Sequence, residues 1–244
     1  MSVDARIYRI KKTLGGIKNI IGVVSGKGGV GKTTISAVMS LILSVKGYSV
    51  GLLDLDFHGP SCHTILGIKD LEYEEEKGIN PYRITKNLYF ASIYPFVKDE
   101  YVPLRGKALS NALIEFLSIL NWRKIDYLIV DMPPGMGDIL LDIVRLIPNS
   151  KFIAVTTNSV LSIQTVGRLI KFIIDSRLEL QGIIANMIRN YDTRARRLAE
   201  ELSVNFLGSV PFDADYENTI GNPQSILGTK LASALKEIVE RHIT

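Results

Sequence analysis

Residues 20 to 34 read IIGVVSGKGGVGKTT: an apolar β-branched run, a glycine-rich turn, then the start of a helical pattern. Of all the stretches in the chain, this order most limits the fold. Glycines let successive backbone N–H groups curl around one point, and the following helix turns its positive N-terminal end toward that point. Gly26-Lys27-Gly28-Gly29-Val30-Gly31-Lys32-Thr33 fits G-x-x-x-x-G-K-[ST], which cradles phosphates where it joins a strand to a helix. In such a loop Lys32 reaches the β- and γ-phosphates, Thr33 ligates Mg²⁺ and Thr34 donates its hydroxyl to the α-phosphate. Lys27 is the unusual member. Beside Gly26 at the mouth of the loop, it is badly placed for its own nucleotide and well placed to point outward.

Around this motif, β-branched apolar runs alternate with helical patterns. Strands are predicted near 20–25, 48–55, 86–93, 125–131, 151–157, 180–187 and 205–210, with helices near 32–46, 104–121, 160–176, 191–203 and 225–242. Runs such as YLIVD and FIAVTT are apolar on both faces. The expectation is an α/β fold, a mostly parallel central sheet with helices on both faces, binding ligands at the strands' carboxyl ends. At 244 residues and 46% apolar content the chain suffices for one such domain, residues 20–244, behind a basic N-terminal arm, residues 1–19. The arm holds the whole charge excess: Arg6, Arg9, Lys11, Lys12 and Lys18 oppose Asp4, and the rest of the chain balances. Ile7, Ile10, Leu14 and Ile17 recur at helical spacing there, so a short amphipathic helix docked on the core is expected. Residues 57–103 read as a solvated surface excursion, with a mobile lid after the active-site strand as the alternative. The longest apolar run, Ile35 to Val45, falls short of the ~20 residues a spanning helix needs, and the start lacks a signal peptide's apolar stretch, which points to the cytoplasm.

Two further strands end in acids. In GLLDLDFHGPS, Asp54 and Asp56 are two apart and share a strand face. Mg²⁺ keeps several waters, so one acid here can hold it through water while the other orients an attacking water. Asp54 is assigned to the metal and Asp56 to the water, though their order is open to reversal. YLIVDMPPGMGD ends a strand at Asp131, which suits a second water-mediated metal partner, and Pro133, Pro134, Gly135 and Gly137 suit a loop that senses the γ-phosphate. His58, Cys62 and His63 place three potential metal ligands close together, although a cysteine among apolar residues reads more simply as core. Leu231, Leu235, Ile238 and Val239 form one stripe of a C-terminal helix suited to packing on the sheet.

GKGGVGKTT resembles the deviant Walker A motif of the SIMIBI class of P-loop NTPases, which includes MinD, ParA and the Mrp-type iron–sulfur carriers. The resemblance implies an ATP-hydrolysing homodimer in which Lys27 reaches into the facing subunit's site. It also implies adenine contacts from Asn186, at a strand end, and from the loop at Pro211. GLLDLDFHGPSCHTILGI, DYLIVDMPPGMGD and VPFDADYENTIGNPQSI are similar to the Mrp/Nbp-type (ApbC-like) branch, whose members carry or assemble iron–sulfur clusters on a C-x-x-C pair from each subunit. That pair usually follows the position of Asn186. Here NMIRNYDTRARRLAEELS has no cysteine, and Cys62 is the only one in the chain. Two copies cannot supply four thiolates, which leaves the usual cluster without its ligands. An iron–sulfur client or assembly protein is then the implied partner. A MinD- or ParA-like positioning ATPase acting on membrane or DNA is the alternative, supported only by the basic arm. A third reading, a synthetase or kinase for a small metabolite, shares the fold and loop.

Overall fold

The computed structural model describes residues 4–57, 59–75, 78–97, 106–122, 124–135, 138–147, 149–190 and 193–244. Helix α1 (Ala5–Leu14) precedes strand β1 (Asn19–Ser25), α2 (Lys32–Val45) and β2 (Val50–Asp54). Next come α3 (Cys62–Ile65), the hairpin β3 (Glu74–Glu75) and β4 (Ile79–Asn80), then β5 (Tyr82–Arg83), β6 (Leu88–Ser92) and α4 (Tyr94–Val97). The middle of the chain forms α5 (Lys107–Ile119), β7 (Tyr127–Asp131), α6 (Asp138–Leu146), β8 (Ser150–Thr156), α7 (Val160–Asp175) and β9 (Glu179–Ile188). It ends with α8 (Arg194–Glu201), β10 (Phe206–Pro211), a 3₁₀ turn (Ala214–Thr219), α9 (Pro223–Leu227) and α10 (Lys230–His242).

Eight strands form one sheet in the order β10-β9-β8-β1-β7-β2-β6-β5, parallel throughout except for β5 at one edge. The mostly parallel α/β expectation therefore holds. Strands buried on both faces explain the unbroken apolar runs: all of Ile20–Ser25, Val50–Asp54 and Tyr127–Asp131 is buried. Helices α2, α3, α9 and α10 cover one face, and α1, α5, α6, α7 and α8 cover the other. The chain leaves β1 for the first face and leaves β7 and β8, its two neighbours, for the second. A crevice therefore opens at the carboxyl end of β1.

Three segments depart from the sequence reading. Residues 57–103 are not simply a solvated excursion: Cys62, Ile65, Leu66, Ile68, Leu71 and Ile79 are buried, because this stretch covers the flank of α2 and the β6 side of the sheet. The single helix expected over 225–242 is two. Thr229 ends the first by donating to the Ile226 carbonyl and caps the second by accepting from the Ala232 N–H. Helix α6 begins at Asp138, a residue type suited to a helix cap, but its span is not marked by helical periodicity because the prolines and glycines just before it mask the pattern. The N-terminal helix does form, capped by Asp4, with Ile10 and Leu14 buried against α5 and Arg6 paired to Asp4 and Glu115. No helix among the described residues is long and apolar enough to cross a membrane.

Candidate functional site

The loop between β1 and α2 sits over the crevice. Gly29 and Gly31 hold positive φ values of 75° and 81°, and Gly31 starts α2 in the left-handed region where a side chain is strained. Gly28 and Gly29 are exposed with open space above them, so the cradle faces outward. Gly26 has the opposite constraint: a Cβ there would lie 2.4 Å from the Thr165 carbonyl carbon and 2.5 Å from the Val166 nitrogen. Backbone cannot yield as a flexible side chain can. Gly26→Ala is therefore expected to cost about 2 kcal/mol through overpacking, read as a lower urea midpoint. A midpoint equal to wild type would mean that α7 does not constrain the loop.

Lys32, Thr33 and Ser36 descend the first turns of α2 and converge on Asp131. Lys32 Nζ donates to Asp131 Oδ1 at 2.8 Å, Thr33 Oγ1 to Oδ2 at 2.8 Å, and Ser36 Oγ to Oδ1 at 2.9 Å. Ser36 was missed by the sequence reading, although its position one turn beyond Lys32 places it on the same helix face. Parallel register sets Asp54 of β2 directly beside Asp131 of β7, and both are fully buried. Asp54 Oδ1 accepts from the Asp56 N–H, and Oδ2 accepts from the N–H groups of Ser61 and Cys62. Asp56 is half-buried, accepts from the Gly59 N–H, and is close enough for its charge to act on Lys32. Lys27 differs from all of these: its half-buried side chain has no hydrogen bond or ion pair among the described residues, while its carbonyl accepts from Ser25 Oγ.

Electrostatics follow from this burial. Desolvation pulls the Lys32 ammonium toward deprotonation, but the Asp131 carboxylate more than offsets it and leaves the pKa raised. Burial, reinforced by the negative charge of Asp131, pushes the Asp54 carboxyl up to about 7 against its backbone hydrogen bonds. The folded value lies above the unfolded 3.8, so between these limits the native state holds a proton that the unfolded chain has released. Stability from this group is therefore complete below about pH 4 and is lost as pH rises toward 7. Urea unfolding of the nucleotide-free protein across this range should show the decline in wild type and a flatter profile in Asp54→Asn. Equal slopes would exclude Asp54 as the source.

Asn186, at the carboxyl end of β9, is also buried. Its Nδ2 donates to the Val30 carbonyl at 2.9 Å, while its Oδ1 has no partner among the described residues. Met187 next to it adopts a left-handed φ of 58°, a strain that commonly marks a functional turn. Beyond Thr34 a cavity of about 310 Å³ is lined by Thr34, Asn186, Met187, Pro211, Phe212 and Tyr216. The Tyr216 hydroxyl is buried without a well-formed hydrogen bond and faces Thr34. The structure thus brings Gly26 to Thr34, Asn186 and Pro211 around one crevice, with Asp54, Asp56 and Asp131 at its base. A larger hollow of about 550 Å³, near Tyr73, Tyr82 and Tyr89, lies at the β5 edge, away from these groups. His58, Met136 and Gly137 lie outside the described residues, and with His58 the grouping His58-Cys62-His63; His63 stacks on Tyr94 at 3.8 Å.

The model of the NUBPL iron-transfer P-loop NTPase family, of ParA type, matches residues 16–244. The chain belongs to this family. It is 34% identical over 239 residues to the iron-sulfur cluster carrier protein of Saccharolobus solfataricus, covering 91% of this chain and 81% of that one. It is also 34% identical over 251 residues to the carrier protein of Methanocaldococcus jannaschii, covering 96% and 87%. Among solved structures, the nucleotide-binding protein of Archaeoglobus fulgidus in complex with ADP superposes with a TM-score of 0.73 at 26% identity, over 89% of this chain and 91% of that chain. Membership in this NTPase family agrees with the resemblance in the phosphate loop and the acid-ended strands. The family's iron-transfer name makes the single, buried Cys62 the main chemical departure to explain.

Proposed function

We propose that this protein is an Mg²⁺-dependent ATPase whose nucleotide closes a homodimer, and that the dimer serves iron–sulfur assembly through a client that supplies the sulfur ligands. The observation that carries the ATP reading is the Lys32–Asp131 pair: a buried ammonium lies beneath a phosphate cradle, held by a carboxylate it can exchange for phosphate oxygens. The donor set suits the metal as well. Thr33, Asp54 and Asp131 offer hard oxygens, and a cation there would balance the negative charge that Asp54 adds once it releases its proton. Mg²⁺ held there supplies charge neutralisation for the β- and γ-phosphates.

The roles of the chain's own residues follow. Backbone N–H groups from Gly26 to Thr34 bind the phosphates, Lys32 moves onto them, and Thr34 holds the α-phosphate. Three backbone donors occupy most of the acceptor sites of Asp54, which favours an outer-shell role toward Mg²⁺. Asp56, half-buried and nearer the mouth, suits the water that attacks the γ-phosphorus in line as the bond to ADP breaks. The orphaned Asn186 Oδ1 is an acceptor matched to the exocyclic amino group of adenine, with Pro211 on the same cavity wall. Lys27, without a partner in its own subunit among the described residues, is assigned to the γ-phosphate of the facing site.

No four-cysteine cluster site is available from this chain, so a cluster enters this reading as cargo bound partly by another protein. Light scattering with Mg²⁺ and a non-hydrolysable ATP analogue tests the switch. A rise from monomer to dimer mass is expected, and an unchanged monomer would overturn it. Anaerobic pull-down of iron–sulfur assembly proteins with and without the analogue tests the client, and capture independent of nucleotide would sink the coupling.

A further inference from the structure

We propose that Asp54, Cys62 and Asp131, with the Thr33 hydroxyl, bind a thiophilic divalent cation of the Zn²⁺ or Fe²⁺ kind when no nucleotide is present. This deepens the reading of Asp54 and Asp131 as metal partners and rests on it. The three donors come from different elements, the ends of β2 and β7 and the first residue of α3, yet their ligand atoms all lie within 4.8 Å of one another. All three residues are fully buried. Cys62 packs in the hydrophobic cluster around α2, yet its Sγ sits 3.9 Å from Asp131 Oδ2, so the thiol reaches a carboxylate as well as hydrocarbon. Bonds of about 2.3 Å to sulfur and about 2.1 Å to oxygen give a tetrahedral edge of roughly 3.5 Å, close to that separation.

The surroundings hold the set in place. The Cys62 N–H donates to Asp54 Oδ2, which ties thiol and carboxylate together, and the Ser61 N–H binds the same oxygen. Three backbone N–H groups occupy Asp54, and a carboxylate accepts at about four sites, so one remains open. Lys32 and Ser36 hold Asp131 by Oδ1, leaving Oδ2 toward Thr33 and Cys62. Mg²⁺ prefers oxygen and does not use the thiol, whereas a softer cation does. On ligation the thiol proton passes to solvent and the thiolate coordinates. Because Thr33 and Asp131 serve both states, soft-metal occupancy and Mg²⁺–nucleotide binding exclude each other.

The test is an anaerobic Co²⁺ titration of the full chain without nucleotide. Cys62 is the only cysteine, so a thiolate-to-cobalt charge-transfer band has a single source. The band should saturate at one Co²⁺ per chain, be absent in Cys62→Ser, and disappear with excess Mg²⁺ and a non-hydrolysable ATP analogue. Wild type showing no band would overturn the site, and that reading needs no variant to fold. A band that survives Mg²⁺ and the analogue would overturn the mutual exclusion. Mg²⁺-dependent binding of a fluorescent ATP analogue, measured on the same preparation, separates the two readings. Nucleotide binding without a cobalt band sinks the thiophilic site alone, and a band without nucleotide binding sinks the ATPase reading alone.

Discussion

Lys27→Ala is expected to lower ATP turnover by about 10³-fold or more, as loss of a charge supplied across an interface does in other phosphoryl-transfer sites. Binding of ATP should change little, because the phosphate cradle and Lys32 are intact. The geometry motivates this split. Lys27 flanks the exposed Gly28 and Gly29 at the rim and has no partner among the described residues, whereas Lys32 is buried on Asp131. A side chain that works only in the closed dimer acts on the transition state and leaves ground-state affinity alone. Wild-type turnover in Lys27→Ala would refute the crossing role.

Lys32→Ala should also abolish most turnover, by about 10²- to 10³-fold, because a positive group aimed at the developing phosphate charge is lost. Unlike Lys27→Ala, it should weaken nucleotide binding and fold stability. Removing one member of a buried ion pair leaves the Asp131 carboxylate with uncharged hydroxyl and thiol partners, at a cost of about 3 kcal/mol. Adding Asp131→Asn removes that stranded charge, so the double variant should regain stability without activity. Stability equal to wild type in Lys32→Ala would argue that the buried pair is not formed in solution.

The two variants together give a sharper result. In a mixed dimer, the Lys27→Ala subunit keeps its own Lys32 and receives Lys27 from its Lys32→Ala partner, so one complete site forms. An equimolar mixture of the two inactive proteins should then recover up to about a quarter of wild-type turnover, since random pairing makes half the dimers mixed. No recovery, with dimerisation confirmed, would place both lysines on the same subunit's nucleotide.

Much of this molecule is legible in one dimension. A strand, glycine loop and helix in immediate succession define the phosphate cradle locally, because backbone conformation at Gly29 and Gly31 and the amide groups of the first helical turn need no distant partner. Apolar runs buried on both faces announce the parallel sheet, and the acids that end β2 and β7 announce where ligands lie. Periodicity failed where local chemistry interrupts it, at the Thr229 break and ahead of α6.

What the sequence could not order is which strands lie side by side. Only the tertiary structure inserts β7 between β1 and β2, and that placement sets Asp54 across from Asp131 and brings both under Lys32 and Ser36. It also seats Asn186 on the Val30 carbonyl 156 residues away and turns the Cys62 thiol toward two carboxylates. The physical reason is that residue types and spacing encode short-range conformation, whereas neighbour order and register are settled by burial of the whole sheet, a property of no single segment.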